Sequence, residues 1–223
     1  MDISVVLCTY NNAERLRITL GALRQLARPD EVNWELVTVN NNSTDHTEDV
    51  IESFDDQLPI TYVLESKQGL NRARNAGVDA AQGELVVFTD DDVKPSPDWL
   101  TAYWEAYRKR PEGYFFGGPI ESEFEGKPPD EDLMRVSMPS VAGLDYGEEP
   151  KELPSQNIFI GPNWACPTKH LEQVGEFDES IGLNATDREE RIGGEGDLME
   201  RLEEEEIRGW YVPKAKIKHF VPN

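Results

Sequence analysis

Asp90, Asp91 and Asp92 follow directly on the apolar run Leu85-Val-Val-Phe88 and Thr89. Carboxylates this close raise one another's pKa and are costly to hold together without a cation. Hard oxygen ligands at a strand end suit Mg²⁺ or Mn²⁺, ions that commonly bridge one or two carboxylates to substrate phosphates. The alternative reading is an acidic turn that caps the next helix, because Ser96 and Asp98 follow. Two further polar groups leave apolar runs in the same manner: Thr9-Tyr10-Asn11 after Ile3 to Cys8, and Asn40-Asn41-Asn42 after Glu35 to Val39.

These groups are positioned by an alternation of strand and helix periods. Ile3 to Cys8 has the β-branched, apolar pattern of a strand buried on both faces. A helix is expected from Asn11, with Glu14 as a capping-box partner and Leu16, Leu20 and Leu23 as its inward stripe. Strands over Glu35 to Val39 and Ile60 to Leu64 follow, with a helix between them capped by Ser43-Thr-Asp45 and running through Phe54. A helix from Leu70 to Ala81 and a strand ending at Thr89 complete the series. Such alternation predicts an α/β fold with a parallel, doubly wound sheet covered by helices. Ligands then bind at the carboxyl ends of the strands, so the three polar groups should share one cleft.

The second half is less regular. Residues 111–155 are rich in proline and glycine, and predict a strand around Tyr114 to Phe124 followed by a long loop. Ile158-Phe-Ile160 reads as a short strand. Asp197 to Arg208 reads as an acidic helix with Leu198 and Leu202 inward, Glu203 to Glu206 forming a solvated face. No internal repeat stands out.

The 223 residues carry 44 acidic and 22 basic side chains, a formal net charge of -22. Such a surface repels nucleic acid and anionic lipid, so a nucleic-acid partner is not expected. An anionic substrate would need a local cationic site, which a divalent metal and a few arginines would supply. Two cysteines, Cys8 and Cys166, are too few for a disulfide scaffold. No signal-peptide pattern and no apolar run of about 18 residues is present, so an integral membrane span is not expected and the cytoplasm is the expected address, with contact to the inner face of the membrane only through an acceptor.

The ordered motifs Val39-Asn-Asn-Asn-Ser-Thr-Asp45, Gly69-Leu-Asn-Arg-Ala-Arg-Asn-Ala-Gly77, Gly83 to Asp92, Val174-Gly-Glu-Phe-Asp178, Gly194 to Leu202, Gly209-Trp-Tyr-Val-Pro213 and His219 resemble the inverting family 2 glycosyltransferases. The resemblance runs from Ser4 to His219. It implies a single GT-A domain, a Rossmann-like α/β/α sandwich with a mostly parallel mixed sheet, whose residues 1–110 bind the nucleotide sugar and whose residues 111–223 bind the acceptor. The implied reaction moves a sugar from a nucleoside-diphosphate donor, uridine favoured, to a hydroxyl on a carbohydrate or lipid-linked acceptor, in cell-surface polysaccharide or glycan synthesis.

Carried over by motif, Asp92 is the ligand of Mn²⁺ or Mg²⁺ and Asp90 the ribose or second metal contact. Asp91 is ambiguous, because a triple Asp allows two registers. His219 matches a late histidine that touches metal or diphosphate, or else is structural. Thr9, Tyr10 and Asn11 fall where relatives cradle base and ribose. Asn40 stands where many carry an Asp that accepts from the base, and an amide both donates and accepts. The resemblance favours Arg74, with Asn75, beside the cleft, whereas Arg72 suits a surface ion pair. Registering Asp197, Leu198 and Arg201 on the family pattern puts Glu195 at the catalytic base. Gly194 then replaces a family Glu at an acceptor contact. Asp197 is a further catalytic candidate, or instead a helix cap or i,i+4 partner of Arg201. Trp164 could stack an acceptor sugar, while Trp99 suits burial. The segment from Asp178 to Gly194 is expected to close over the phosphates as a lid.

Two other classes are compatible with an acidic cluster. A nucleotidyltransferase would usually carry a Gly-rich phosphate loop near the first strand, which Thr9-Tyr-Asn-Asn12 is not. A non-catalytic nucleotide-sugar-binding module would keep the cleft and lose the base or metal ligands, whereas Asp92 and Glu195 are both present.

Overall fold

The computed structural model describes residues 1–27, 32–128, 130, 141, 143–155, 159–181 and 194–222. The expected strand residue Ile158, most of the long loop at 129–142 and the expected lid at 182–193 lie outside the described residues.

Strands β1 (Ile3–Thr9), β2 (Trp34–Asn40), β3 (Ile60–Leu64) and β4 (Leu85–Asp90) alternate with helices α1 (Ala13–Leu23), α2 (Thr47–Glu52) and α3 (Leu70–Ala80). Then come β5 (Val93–Pro95), α4 (Trp99–Lys109), β6 (Tyr114–Gly117), β7 (Ile120–Phe124), β8 (Lys151–Glu152), β9 (Trp164–Pro167), α5 (Thr168–Val174), α6 (Gly194–Glu204), β10 (Arg208–Tyr211) and β11 (Ile217–Val221). The large sheet has the order β3-β2-β1-β4-β9-β6-β10-β8, and a small sheet the order β5-β11-β7. The first four strands of the large sheet run parallel, while β9 runs antiparallel to both β4 and β6.

Every residue of β1 is buried, because its alternate side chains enter two different layers. Ile3, Val5 and Leu7 pack with Leu16 and Leu20 of α1, Val50 of α2 and Trp99 of α4. Val6 and Cys8 pack on the other face with Ala73 of α3 and Leu198 and Leu202 of α6. Helices therefore cover both faces, as the alternating periods predicted.

Several local expectations need correction. Helix α1 begins at Ala13, because Asn11 takes a left-handed φ of 49°. Its first turn has no side-chain cap of its own; Ala13 N–H donates to Asp45 Oδ2 at 3.2 Å instead, and Glu14 faces His46 rather than closing a capping box. The expected strand over 114–124 breaks at Gly118-Pro119 into β6 and β7, which join different sheets. A proline has no N–H for a ladder, and the backbone at Gly118 lies so close to Ala215 O that a Cβ would sit 2.0 Å from it. Phe159 and Ile160 are outside any strand, and the missed strand is β9. Helix α6 starts at Gly194, three residues before the expected Asp197, and ends at Glu204.

Candidate functional site at the carboxyl ends of the parallel strands

Parallel register sets Thr9 beside Asn40 and Cys8 beside Asp90, so the loops after β1, β2 and β4 meet. They enclose a cleft of about 330 Å³ whose lining includes Thr9, Tyr10, Asn11, Asn41, Asp90 and Asp92. Tyr10 is 43 % exposed at its rim. Asn40 does not line the cleft: its Nδ2 donates to Tyr62 Oη at 3.2 Å and its Oδ1 accepts from Ser43 N–H at 2.9 Å. Its neighbour Asn41 does, while also donating to Lys67 O at 2.8 Å and accepting from Gly69 N–H at 2.8 Å. Asn41 thereby fastens the β2 loop to the start of α3, a role the Asn40-Asn41-Asn42 run left unassigned.

The three aspartates differ sharply. Thr9 Oγ1 donates to Asp91 Oδ2 at 2.5 Å and Asn12 Nδ2 to Asp91 Oδ1 at 2.6 Å, and Thr19 Oγ1 donates to the Asp91 carbonyl at 2.8 Å. Burial pushes Asp91 up to about 6, against the pull of the Thr9 and Asn12 hydrogen bonds. With both oxygens engaged, Asp91 ties the loops together, and Asp90 and Asp92 remain to face a ligand. Burial also pushes Asp90 up to about 7; Arg74 opposes this, and Asp92 and Glu195 add to it. Pairing of β5 with β11 sets Val93 against His219 and brings His219 Nε2 to 3.3 Å from Asp92 Oδ1. That oxygen is buried and accepts no hydrogen bond from the described residues.

Among the described residues no three His, Cys, Asp or Glu side chains converge as a ready-made metal cage. Mg²⁺ and Mn²⁺ at phosphate-transfer sites are commonly held by one or two carboxylates completed by substrate oxygens and water. A buried carboxylate oxygen without a donor, beside an imidazole and a second crowded carboxylate, fits such an ion.

Arg74 of α3, outside the cleft lining, is 3 % exposed. Its Nη2 donates to Glu195 Oε1, its Nη1 reaches Asn71 Oδ1 at 3.4 Å, and its guanidinium lies 5.5 Å from the Phe177 ring centroid. Asn71 and Asn75 of the same helix hold the Asp178, Ile181 and Phe177 backbone. A Cβ on Gly194 would lie 2.4 Å from the Asn71 amide, so the family's Glu could not stand there in this packing. A Cβ on Gly161 would come within 3.3 Å of Glu195, Arg74 and Asp90 alike.

Other expected residues lie elsewhere. Asp197 pairs with Arg201 at 2.9 Å, whose Nη1 and Nη2 also bind the Val174 and Glu176 carbonyls. Arg72 pairs with Glu179 at 2.5 Å on the surface. Trp164 is fully buried and stacked on Phe88, with centroids 4.4 Å apart; it belongs to the core and offers no face to a sugar. Trp99 is buried as expected, and its Nε1 donates to Asn163 Oδ1 at 2.8 Å. Asn163 also accepts from Tyr103 Oη and donates to the Pro119 and Ala215 carbonyls. Only its place in the turn-forming Gly161-Pro-Asn163 hinted at a structural role.

Residues 4–174 match the family model described as Glycosyl transferase family 2. The chain belongs to that family. It is 30 % identical over 203 residues to validoxylamine A glucosyltransferase of Streptomyces hygroscopicus subsp. limoneus, covering 80 % of this chain and 44 % of that protein. A putative glycosyltransferase of Bacillus subtilis, EpsH, is 26 % identical over 162 residues, covering 71 % of this chain and 43 % of the relative. The chain thus spans less than half the length of these curated relatives. Among solved structures it resembles the mannosyltransferase PcManGT from Pyrobaculum calidifontis in complex with GDP-Man and Mn²⁺, with TM-score 0.68 and 23 % identity over 97 % of this chain and 56 % of that one. It also resembles GalNAc-T7 with UDP, GalNAc and Mn²⁺, with TM-score 0.75 and 15 % identity over 99 % of this chain and 44 % of that one. The fold of this family 2 chain is therefore GT-A. No helix among the described residues is long and apolar enough to cross a membrane.

Proposed function

We propose that this family 2 chain transfers a sugar, with inversion, from a nucleoside-diphosphate sugar to a hydroxyl acceptor in polysaccharide or glycan synthesis, uridine being the favoured base. One observation carries the reading: Asp90 and Asp92 line the cleft from the end of β4 and the turn after it, and Glu195 reaches the same Gly161 as Asp90 from helix α6. Inverting transfer needs charge stabilisation at the leaving diphosphate, which a carboxylate-held divalent ion can supply, and a separate base that accepts the acceptor's proton.

Tyr10 and Asn11 at the rim would receive the base and ribose, Tyr10 by stacking. Asp92 and His219, with Asp90, would hold Mn²⁺ or Mg²⁺, which when bound supplies Lewis-acid stabilisation of the charge on the departing diphosphate. Asp91 keeps the loops bearing these groups together. Glu195 Oε1 or Oε2 would take the proton of the attacking hydroxyl while the other oxygen stays with Arg74. Carbohydrate or lipid-linked acceptors, and contact with a membrane only through the acceptor, complete the proposal.

The test is release of free nucleoside diphosphate from a panel of UDP- and GDP-sugars with Mn²⁺ and a panel of hydroxyl acceptors. The expected result is acceptor-dependent release and a product of inverted anomeric configuration. Tight nucleotide binding without release across the panel would favour a binding module instead.

A further inference from the structure

The ion pair between Arg74 and Glu195 does more than neutralise one buried and one half-buried charge. Arg74 is held on three sides: by Asn71 at 3.4 Å, by the Phe177 ring at 5.5 Å, and by Glu195 itself. Phe177 is in turn fixed through its backbone by both ends of the Asn75 amide, at 2.9 and 3.0 Å. Glu195 projects from the first turn of α6, and such a side chain has several torsions to restrain. Its bond to Arg74 is the described contact that restrains them. Arg74 does not line the cleft, whereas its helix neighbour Ala73 does.

Gly161 closes the arrangement. A Cβ there would stand 2.8 Å from Glu195 Oε1, 3.1 Å from Arg74 Nη2 and 3.3 Å from Asp90 Oδ2. The bare backbone is what allows these three tips to gather. We infer that Arg74 is a positioning residue that sets the carboxylate of Glu195 for proton acceptance, with Gly161 as the surface against which the pair is seated. The inference rests on the reading of Glu195 as the base. It departs from the expectation that an arginine beside this cleft neutralises diphosphate.

Gly161→Ala gives a discriminating variant. All three atoms its methyl would meet are ends of flexible side chains, so the chain should fold while the carboxylate moves. A displacement of about 1 Å in a reacting group can lower a rate on the order of 10²-fold. Gly161→Ala, Arg74→Lys and Glu195→Gln would be compared in the full chain, each first checked for a cooperative melt. Calorimetry with UDP and Mn²⁺ reads donor-side binding. Turnover is read as nucleoside diphosphate released from whichever of UDP-glucose, UDP-N-acetylglucosamine and GDP-mannose the parent uses. Gly161→Ala and Arg74→Lys are expected to lower kcat by about 10-fold or more, with donor KM and UDP affinity within about twofold of the parent. A loss of UDP affinity in Arg74→Lys that matches its loss of turnover would make Arg74 a diphosphate ligand and overturn the inference, as would parental kcat in Gly161→Ala. Failure of the underlying reading looks different: Glu195→Gln at the parental rate removes Glu195 as the base, whatever the other two variants do.

Discussion

Thr9 Oγ1 donates to Asp91 Oδ2 at 2.5 Å across 82 residues of chain. This bond joins the end of β1 to the turn after β4 and occupies one oxygen of the middle carboxylate of the acidic triplet. Asp91→Ala would leave the Thr9 hydroxyl and Asn12 amide without their acceptor. A buried donor stripped of its partner costs about 1–3 kcal/mol, which for a chain of this size lowers Tm by several degrees. Differential scanning calorimetry of Asp91→Ala should show that loss, with a smaller one in Asp92→Ala.

Asp92→Ala should instead abolish the tightening of nucleoside diphosphate by Mn²⁺. His219→Ala should weaken it, because the imidazole sits 3.3 Å from the same carboxylate. Titration calorimetry of UDP in Mn²⁺ and in chelator reads this directly. Equal affinity in both conditions for the parent would remove the metal from the proposal.

Glu195→Gln should lower turnover by about 10²–10⁴, the usual effect of losing a positioned base, with UDP affinity near that of the parent. Asp197→Asn should cost only about 0.3–0.5 kcal/mol, typical of an i,i+4 helix pair. Rates and melting curves of the two variants would be exchanged if Asp197 were the base.

Asn163 is fully buried and uses both ends of its amide, accepting from Trp99 and Tyr103 and donating to two carbonyls. Asn163→Ala strands three buried polar groups and one half-buried carbonyl, and should cost about 3–5 kcal/mol. Urea unfolding would show a fall in midpoint with little change in slope.

Asp45 provides a pH-dependent element. Burial works to raise it, but hydrogen bonds from the Thr47 hydroxyl and the Ala13 and Thr47 backbone outweigh that and hold it below its usual value. A carboxylate depressed in the folded state stabilises above its unfolded pKa and loses that contribution as pH falls through the folded value. Asp45→Asn should therefore be less stable than the parent at neutral pH, by about 1 kcal/mol or less for a helix-end group. The difference should shrink as pH drops below about 4. A difference in Tm that does not vary with pH would contradict the assignment.

Much of this molecule was legible before any coordinates. The switch between strand and helix periods from Ile3 to Asp90 reports which residues are buried, and a doubly wound sheet follows. The placement of Thr9 and Asp90 at one end of the sheet follows from that alternation, since a parallel crossover repeats the same polarity each time; that β1 and β4 are neighbours came with the structure. Periodicity does not report which partner a side chain meets. Trp164 reads as a sugar platform until β9 is seen inserted between β4 and β6, where its ring is buried against Phe88 and beside Phe177. Asp90, Asp91 and Asp92 are equivalent as a triplet; hydrogen bonds from Thr9 and Asn12, about eighty residues away, make them unequal. Glu195 and Arg74 are 121 residues apart, and nothing local to either encodes their meeting at Gly161. Burial and local period are properties of a short stretch of chain and were determined by the sequence itself. The direction and partner of each charged side chain were decided only when distant segments packed, because hydrogen bonds act over about 3 Å and depend on which segments the fold brings within that reach.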